Sequence, residues 1–305
     1  MSNLTPFQVL KAVADAVPSD CHPNIVIIGS LAAGFHFFGK DASKAVRTKD
    51  IDCVLEPFHA AVGTGQNLAA QLLAAGWSQQ AGEAATSPGT AETPVDKLPV
   101  VRLYPPGIEQ TAAEAWFLEL LTVPKSSEVM GKEWTRLELP QGHFGLPTFR
   151  FLSVTAHQPL PVADLGIRYA QPMNMALANL LEHPTIKPDL MSSLFAGRAI
   201  KRSNKDLGRV LAITILADLD DYSPWAVAWQ AALEACFPLE WKAIASNAGS
   251  GLRALLNSDE DLEQAQFTCA NGLLASQPPT LDELRTAADR LLGDAIERLE
   301  EAANS

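Results

Sequence analysis

The chain has 305 residues, of which 47% are hydrophobic, so it is long enough to bury a core as one large domain or two smaller ones. Its formal net charge is −12, which argues against a protein that coats long stretches of nucleic acid, because such proteins carry a positive surface. An acidic balance does not exclude a local basic pocket.

The N-terminal third alternates short apolar strands with helices. Residues 24–28 form a β-branched run bounded by Pro23 and Gly29, which predicts a buried strand. Residues 50–55 predict a second strand. Apolar residues at helical spacing predict three helices around these strands, over residues 5–17, 31–38 and 60–75.

The next hundred residues are predicted to hold a long loop and further strands. The stretch SQQAGEAATSPGTAETPVDK, residues 78–97, is rich in small and polar residues and predicts the loop. Residues 105–115 are interpreted as a hairpin-like connection. The predicted strands span residues 100–104, 116–123, 135–139, 148–154 and 166–169.

From residue 172 onward the pattern becomes helical. Thr280 and Glu283 form a capping-box pattern at the start of a helix that extends towards the C-terminus. The preceding segments predict helices over residues 172–183, 188–202, 204–219 and 224–237. The sequence therefore divides into an α/β part, residues 1–170, and a helical part, residues 171–305.

The sequence predicts a cytoplasmic protein without a membrane anchor. Its longest apolar run, residues 25–38, is interrupted by Gly29, Ser30 and Gly34 and is shorter than the roughly 20 apolar residues that span a bilayer. No secretory signal is recognisable at the N-terminus. The four cysteines are dispersed without a C-x-x-C pair, which favours reduced thiols.

Two aspartates stand one residue apart in the second predicted strand. Side-chain alternation places Asp50 and Asp52 on one face and Ile51 on the other, in the core. Two such carboxylates repel each other unless a proton or a cation lies between them. Hard oxygen ligands of this kind suit Mg²⁺ bound together with substrate phosphates. Taken alone, however, an Asp-x-Asp is more often a solvated pair at a strand end.

The first predicted strand leads through Gly29 and Ser30 directly into a helix. The free N–H groups and the positive dipole end of a helix N-terminus attract phosphate. Gly29 permits a close approach to the backbone, and Ser30 either caps the helix or donates its hydroxyl to the ligand. An ordinary N-cap is an equally good interpretation of Ser30.

Further charged residues complete the candidate site. Glu119 is the only charged residue of the apolar run AWFLELLTV, which suggests a third acidic ligand, although an edge or solvated position is the alternative. A short basic segment predicts either a solvated helix face or a patch that contacts the phosphates of an NTP or an RNA. Its members are Arg198, Lys201, Arg202, Lys205 and Arg209. Lys205 with Asp206, and Arg47 before the acidic strand, are candidates for nucleotide binding.

The segment IIGSLAAGFHFF…RTKDIDCVL, within residues 24–57, resembles the signature of the nucleotidyltransferase superfamily, which has a DNA polymerase β-like fold. That signature is a Gly-Gly or Gly-Ser turn opening a helix, an Asp-x-Asp strand and a third acidic residue on a later strand. The form RTKDID is most similar to the AbiEii-like toxin nucleotidyltransferases, and RSNKDLGRVL is similar to their R-x-K-D-L-x-D-L stretch. Gly208 and Arg209 depart from this pattern and remove its second aspartate, and Asn179 stands where that group often carries a lysine.

The resemblance implies an α+β fold, with a polymerase β-like mixed sheet flanked by helices and followed by a helical domain. It implies transfer of a nucleoside monophosphate from an NTP to an acceptor hydroxyl of RNA, tRNA or protein. The implied ion is Mg²⁺ or Mn²⁺, bound by the catalytic carboxylates Asp50, Asp52 and Glu119. The implied nucleotide-binding residues are Gly29, Ser30, Arg47, Lys205 and Asp206. An antitoxin protein is a further implied partner, if the chain is the toxin of a type IV-like toxin–antitoxin system.

Two other classes of function stay open. The departures at Gly208, Arg209 and Asn179 motivate a non-catalytic protein that uses this fold to bind a nucleotide or a protein partner. The sequence GSLAAG after a strand also suggests a dinucleotide-binding oxidoreductase. Its glycine spacing does not fit G-x-G-x-x-G, however, and this interpretation leaves Asp50 and Asp52 unexplained.

Overall fold

The computed structural model describes residues 2–79, 87–112, 115–186, 189–191 and 194–305. The loop predicted over residues 78–97, the connection over residues 105–115 and the helix over residues 188–202 therefore lie partly outside the described residues. The described strands are β1 (Ser2–Leu4), β2 (Ile25–Ile28), β3 (Val46–Thr48), β4 (Asp50–Leu55), β5 (Ser78–Gln79), β6 (Arg102–Tyr104), β7 (Phe117–Thr122), β8 (Lys132–Leu139), β9 (Gly142–Phe149), β10 (Leu160–Pro161) and β11 (Arg168–Tyr169).

Seven of these strands form one mixed sheet, in the order β10-β11-β2-β4-β7-β6-β5. The pairs β11–β2 and β4–β7 are parallel, and the other neighbours are antiparallel. The strands β1 and β3 form a separate antiparallel ribbon, and β8 and β9 form a long antiparallel hairpin. The coarse expectation of an α+β protein with a mixed sheet is thereby confirmed.

Helices flank the sheet and make up the C-terminal part of the chain. The described α-helices are α1 (Pro6–Ala16), α2 (Gly29–Phe38), α3 (Phe58–Ala74), α4 (Leu152–Thr155), α5 (Pro172–Ile186), α6 (Arg202–Ala217), α7 (Ser223–Cys236), α8 (Trp241–Ala245), α9 (Ser250–Leu256), α10 (Asp259–Ala270), α11 (Leu281–Leu291) and α12 (Glu297–Asn304). A π-helical segment, Leu292–Ile296, joins α11 to α12. The capping box predicted at Thr280 and Glu283 is confirmed at the start of α11. Among the described helices, none combines the length and apolarity needed to cross a membrane.

The sheet and the C-terminal helices share one hydrophobic core. Ile25 and Ile51 of the sheet and Leu211 and Trp229 of the helices are fully buried in the same cluster. Helix α2, which leaves the sheet, contacts both α5 and α6. The division into domains at residue 170 stays a prediction: the element type changes there, but the apolar packing is continuous.

The helix predicted over residues 188–202 is wrong in its described part. The backbone there turns back on itself, with a β-bridge between Phe195 and Arg198. Ala196 and Gly197 at the turn both have positive φ angles, of 48° and 85°. Positive φ angles interrupt a right-handed helix, and apolar periodicity does not report them.

The strand predicted over residues 148–154 is correct only as far as Phe149, where β9 ends. The chain then turns through Arg150 into the short helix α4. The Arg150 side chain is buried, donates to Glu240 and lies against the Phe237 ring. The strand thus ends beside a tertiary ion pair, although the sequence around it is rich in strand-forming residues.

Candidate functional site

The acidic residues of β4 and β7 are brought together by strand register. Asp50 and Asp52 lie on one face of β4, while Ile51 between them is fully buried in the opposite direction. Because β4 and β7 are parallel neighbours, Asp52 stands directly beside Glu119. All three carboxylates line the same cavity, as side-chain alternation along two adjacent strands requires.

The start of α2 touches this acidic face. Strand β2 pairs with β4 so that Ile28 stands opposite Asp52, and the helix begins at the next residue, Gly29. Gly29 has a φ of +77°, and a Cβ built on it would lie 2.8 Å from Oδ2 of Asp52. The position therefore requires glycine both for its backbone angle and for the close approach of the carboxylate.

Ser30 is the second residue of α2 and not its N-cap. The N-cap is Ile28, which has no capping side chain, so the interpretation of Ser30 as an ordinary cap is wrong. Ser30 lies inside the helix because α2 follows β2 without an intervening turn. Ser30 consequently lines the cavity next to Gly29 and Asp50.

The cavity has a volume of about 340 Å³ and a lining of balanced charge. Among the described residues, its acidic members are Asp50, Asp52, Glu119, Glu182 and Asp206, and its basic members are Arg102, Lys132, Arg202, Lys205 and Arg209. Five positive charges at one place contrast with the net charge of −12 for the whole chain. The cavity therefore gathers cations beside the carboxylates in a way that the overall charge does not reveal.

Helix α6 supplies three of these cations from one face. Arg202, Lys205 and Arg209 are spaced at i, i+3 and i+7 and line the cavity together. Asp206 is buried between the two arginines, with Arg202 Nε 3.2 Å from its Oδ2 and Arg209 Nη1 3.5 Å from its Oδ1. Its contacts assign Asp206 to holding these arginines in place.

The remaining cations of the basic segment are engaged elsewhere. Lys201 forms a 2.6 Å ion pair with Asp261, and Arg198 lies over the ring of Phe267. Gly208, which departs from the R-x-K-D-L-x-D-L pattern, has a packing role. A Cβ there would come within 2.7 Å of the carbonyl oxygen of Ala265, so glycine lets α6 and α10 approach closely.

Arg47 is not among the residues that line the carboxylate cavity. It lies on β3 and donates to Asn271 at 3.5 Å. It lines a neighbouring cavity of about 430 Å³, which shares Ser30, Asp50 and Lys205 with the first. The structure therefore brings Gly29, Ser30, Lys205 and Asp206 together with the carboxylates and places Arg47 on the adjoining side.

Sequence reasoning missed two cations of the carboxylate cavity, Arg102 and Lys132. Arg102 stands opposite Glu119 in the β6–β7 pair, and its Nε donates to Oε2 of Glu119 at 2.5 Å. Lys132 opens β8 of the hairpin beside the sheet. A basic residue on the strand next to the acidic one was a usable signal for Arg102, whereas Lys132 is placed by tertiary packing alone.

The cavity disfavours the charged forms of one carboxyl group and of one lysine. Burial, reinforced by Asp50 and Glu119, raises the pKa of Asp52 to about 7, and Arg209 and Lys205 oppose this rise only partly. Burial, reinforced by the positive charges of Arg209 and Arg202, lowers the pKa of Lys205 to about 8. A bound cation would stabilise the charged form of Asp52, and a bound anion would stabilise the charged form of Lys205.

The donor set fits a hard divalent cation at two of the three carboxylates. Asp50 and Asp52 offer oxygen ligands on one strand face, and one or two carboxylates plus substrate phosphates are the usual environment of Mg²⁺. Glu119 is bound by Arg102. Within the part of the chain that the structure describes, no group of three or more His, Cys, Asp or Glu side chains is close enough to hold a metal ion.

The raised pKa of Asp52 predicts a pH-dependent effect on stability. A carboxyl group with a higher pKa in the folded state than the unfolded value of about 3.9 favours folding at low pH, and this advantage is lost as the pH rises through about 7. Asp52→Asn should therefore change little at pH 4 and stabilise the chain at pH 8. Since the side chain keeps some solvent contact, we expect a gain of roughly 1–3 kcal/mol at pH 8.

Urea unfolding at pH 5 and pH 8 measures this effect, with the exposed Asp15→Asn as the matched control. The gain from Asp52→Asn should be larger at pH 8 than at pH 5, and the control should show no such difference. Equal effects of Asp52→Asn at both pH values would contradict the raised pKa of Asp52.

Comparison with known proteins gives no assignment for this arrangement. The chain matches no protein-family model, no curated protein and no solved structure.

Proposed function

We propose that the chain is a metal-dependent nucleotidyltransferase with a polymerase β-like N-terminal fold, related most closely to the AbiEii-like group. The observation that carries this proposal is the contact between the start of α2, at Gly29, and the carboxylate of Asp52. A helix N-terminus is a position that attracts phosphate, and a carboxylate pair suits Mg²⁺, so their proximity in one cavity supports the proposal. The motif resemblance at residues 24–57 supports the same assignment.

The residues of the cavity divide into two roles in this proposal. Backbone N–H groups at Gly29 and Ser30, together with Lys205, bind the phosphates of an NTP, while Asp206 holds Arg202 and Arg209 at the cavity wall. Asp50 and Asp52 hold the divalent ion, Mg²⁺ or Mn²⁺. When bound, such an ion neutralises charge on the phosphates during in-line displacement.

Glu119 has the third role, next to the acceptor. It stands beside Asp52 and is the carboxylate best placed to accept the proton of an attacking hydroxyl. Its carboxylate also forms an ion pair with Arg102. The acceptor is a hydroxyl group of an RNA, such as a tRNA, or of a protein, and the role as a toxin with an antitoxin partner rests on the sequence resemblance.

The proposal is tested by incubating the chain with α-phosphate-labelled NTPs, Mg²⁺ or Mn²⁺, total RNA and total protein. Label is expected in one macromolecular fraction and for one NTP in preference to the others. If all four NTPs leave both fractions unlabelled with either ion, the enzymatic assignment fails.

The Arg102–Glu119 ion pair favours a second candidate, a non-catalytic protein that binds a nucleotide. A third carboxylate that is already neutralised by an arginine is not available to an ion without rearrangement. In this case the chain binds an NTP with Mg²⁺ but transfers nothing.

The variant Arg102→Ala distinguishes the catalytic from the non-catalytic candidate function. Removing a positive charge beside the carboxylates should raise Mg²⁺ affinity about three- to tenfold, measured by ion titration at a fixed NTP concentration. The control is Arg136→Ala, whose guanidinium donates to the carbonyl oxygens of Thr90 and Thr93. An unchanged Mg²⁺ affinity would contradict the assigned influence of Arg102, and transfer gained by the variant but absent from the unaltered chain would favour the second candidate.

A further inference from the structure

The β8–β9 hairpin brings a lysine to the cavity from outside the main sheet. Lys132, at the start of β8, pairs with Phe149 at the end of β9, and both residues line the cavity. Its Nζ lies 4.1 Å from the ring centroid of Trp134 and 5.4 Å from that of Phe149. The side chain is solvent-accessible, so a ligand entering the cavity can reach it.

The ion pairs of the cavity distinguish its lysines from its arginines. Arg102 is paired with Glu119, and Arg202 and Arg209 are paired with Asp206. The two lysines, in contrast, have no carboxylate within 4 Å in the described part of the structure. Each rests on an aromatic ring, Lys132 on Trp134 and Lys205 on Phe195.

This difference decides which cations are available to a ligand. The arginines are committed to buried or half-buried carboxylates, and breaking such a pair costs free energy. A cation–π contact at an accessible site is worth only about 0.5–1 kcal/mol, so the exposed Lys132 can leave its ring for a phosphate at small cost. An ammonium group is also a common partner of phosphate in proteins.

We propose that Lys132 is a phosphate-binding residue of this cavity, which contacts the phosphate oxygens of the bound nucleotide from the hairpin while Lys205 contacts them from α6. The inference rests on the proposed function, because it takes the nucleotide as the ligand. It assigns the hairpin a substrate-binding role that the sequence did not suggest.

Calorimetric titration with ATP and with inorganic triphosphate, both with Mg²⁺, tests the inference. Lys132→Met, which keeps the length of the side chain and removes its charge, should weaken the binding of both ligands about tenfold, equivalent to about 1.4 kcal/mol. Lys132→Arg should restore part of the affinity. The matched control is Lys125→Met, because Lys125 is exposed, is paired with Glu133 and is not part of the cavity lining.

Tryptophan fluorescence gives a second readout that does not depend on activity. Drawing Lys132 away from Trp134 should change the emission on triphosphate binding, and this change should disappear in both Trp134→Phe and Lys132→Met. Circular dichroism of the variants establishes that they are folded.

Each result separates this inference from the proposed function. Unaltered affinity in folded Lys132→Met overturns the inference and leaves the proposed function standing. A loss confined to ATP also overturns it, because Lys132 then contacts the base or ribose. If the unaltered chain binds neither ligand, both the inference and the proposed function fail.

Discussion

Replacing Asp52 with alanine is expected to lower the rate of nucleotide transfer by at least about 1,000-fold, equivalent to about 4 kcal/mol of transition-state stabilisation. Asp52 lies between the two other parts of the site: it is paired with Glu119 in the sheet and is in contact with the start of α2. Under the proposed function, its removal would deprive the divalent ion of a ligand at the place where negative charge develops.

The variant should remain folded, which makes the loss of activity interpretable. Asp52 raises the free energy of the folded state at neutral pH, because burial and the neighbouring carboxylates disfavour its charged form. The melting temperature of Asp52→Ala should therefore be equal to or higher than that of the unaltered chain at pH 8. Exposed Asp15→Ala is the control for transfer and should keep full activity. Transfer within tenfold of normal in Asp52→Ala would remove Asp52 from the mechanism.

Gly29→Ala is expected to impair transfer at least about 100-fold and to destabilise the chain by about 1–3 kcal/mol. Two effects combine at this position. The φ of +77° is unfavourable for a residue with a Cβ, and the added methyl group would lie 2.8 Å from Oδ2 of Asp52. The carboxylate must move away, and the approach of a phosphate to the helix N-terminus is obstructed.

Gly39, at the other end of the same helix, offers a matched control. It also has a positive φ, of 57°, but a Cβ there would meet nothing within 4 Å. Gly39→Ala should therefore reproduce the backbone strain in urea unfolding without the loss of transfer. Similar losses of activity in both variants would mean that strain, and not the contact with Asp52, is responsible.

The local geometry of the carboxylate strand could be predicted from the sequence because it depends on short-range rules. The strand at Asp50–Leu55 follows from its β-branched and apolar residues, and alternation then fixes the common face of its two aspartates. The helix after Gly29 was also predicted, although it begins two residues earlier than expected. This shift moved Ser30 from a capping position into the cavity lining.

The sequence held a usable signal for Arg102, which pairs with Glu119 across the neighbouring strands β6 and β7. The position of Lys132 could not be predicted, because it depends on the packing of a separate hairpin against the sheet. The role of Asp206 likewise required the three-dimensional structure. Its sequence neighbours suggest a ligand contact, but its buried position between two arginines assigns it to holding them.

The measurement that tests nucleotidyl transfer most directly compares α-labelled and γ-labelled samples of the preferred NTP in otherwise identical reactions. We expect the acceptor to gain label from the α-phosphate and none from the γ-phosphate, and we expect the Asp50→Asn, Asp52→Asn double variant to transfer neither. Label from the γ-phosphate would show phosphoryl transfer, and equal labelling by the double variant would place the reaction outside this site; either result would contradict the account.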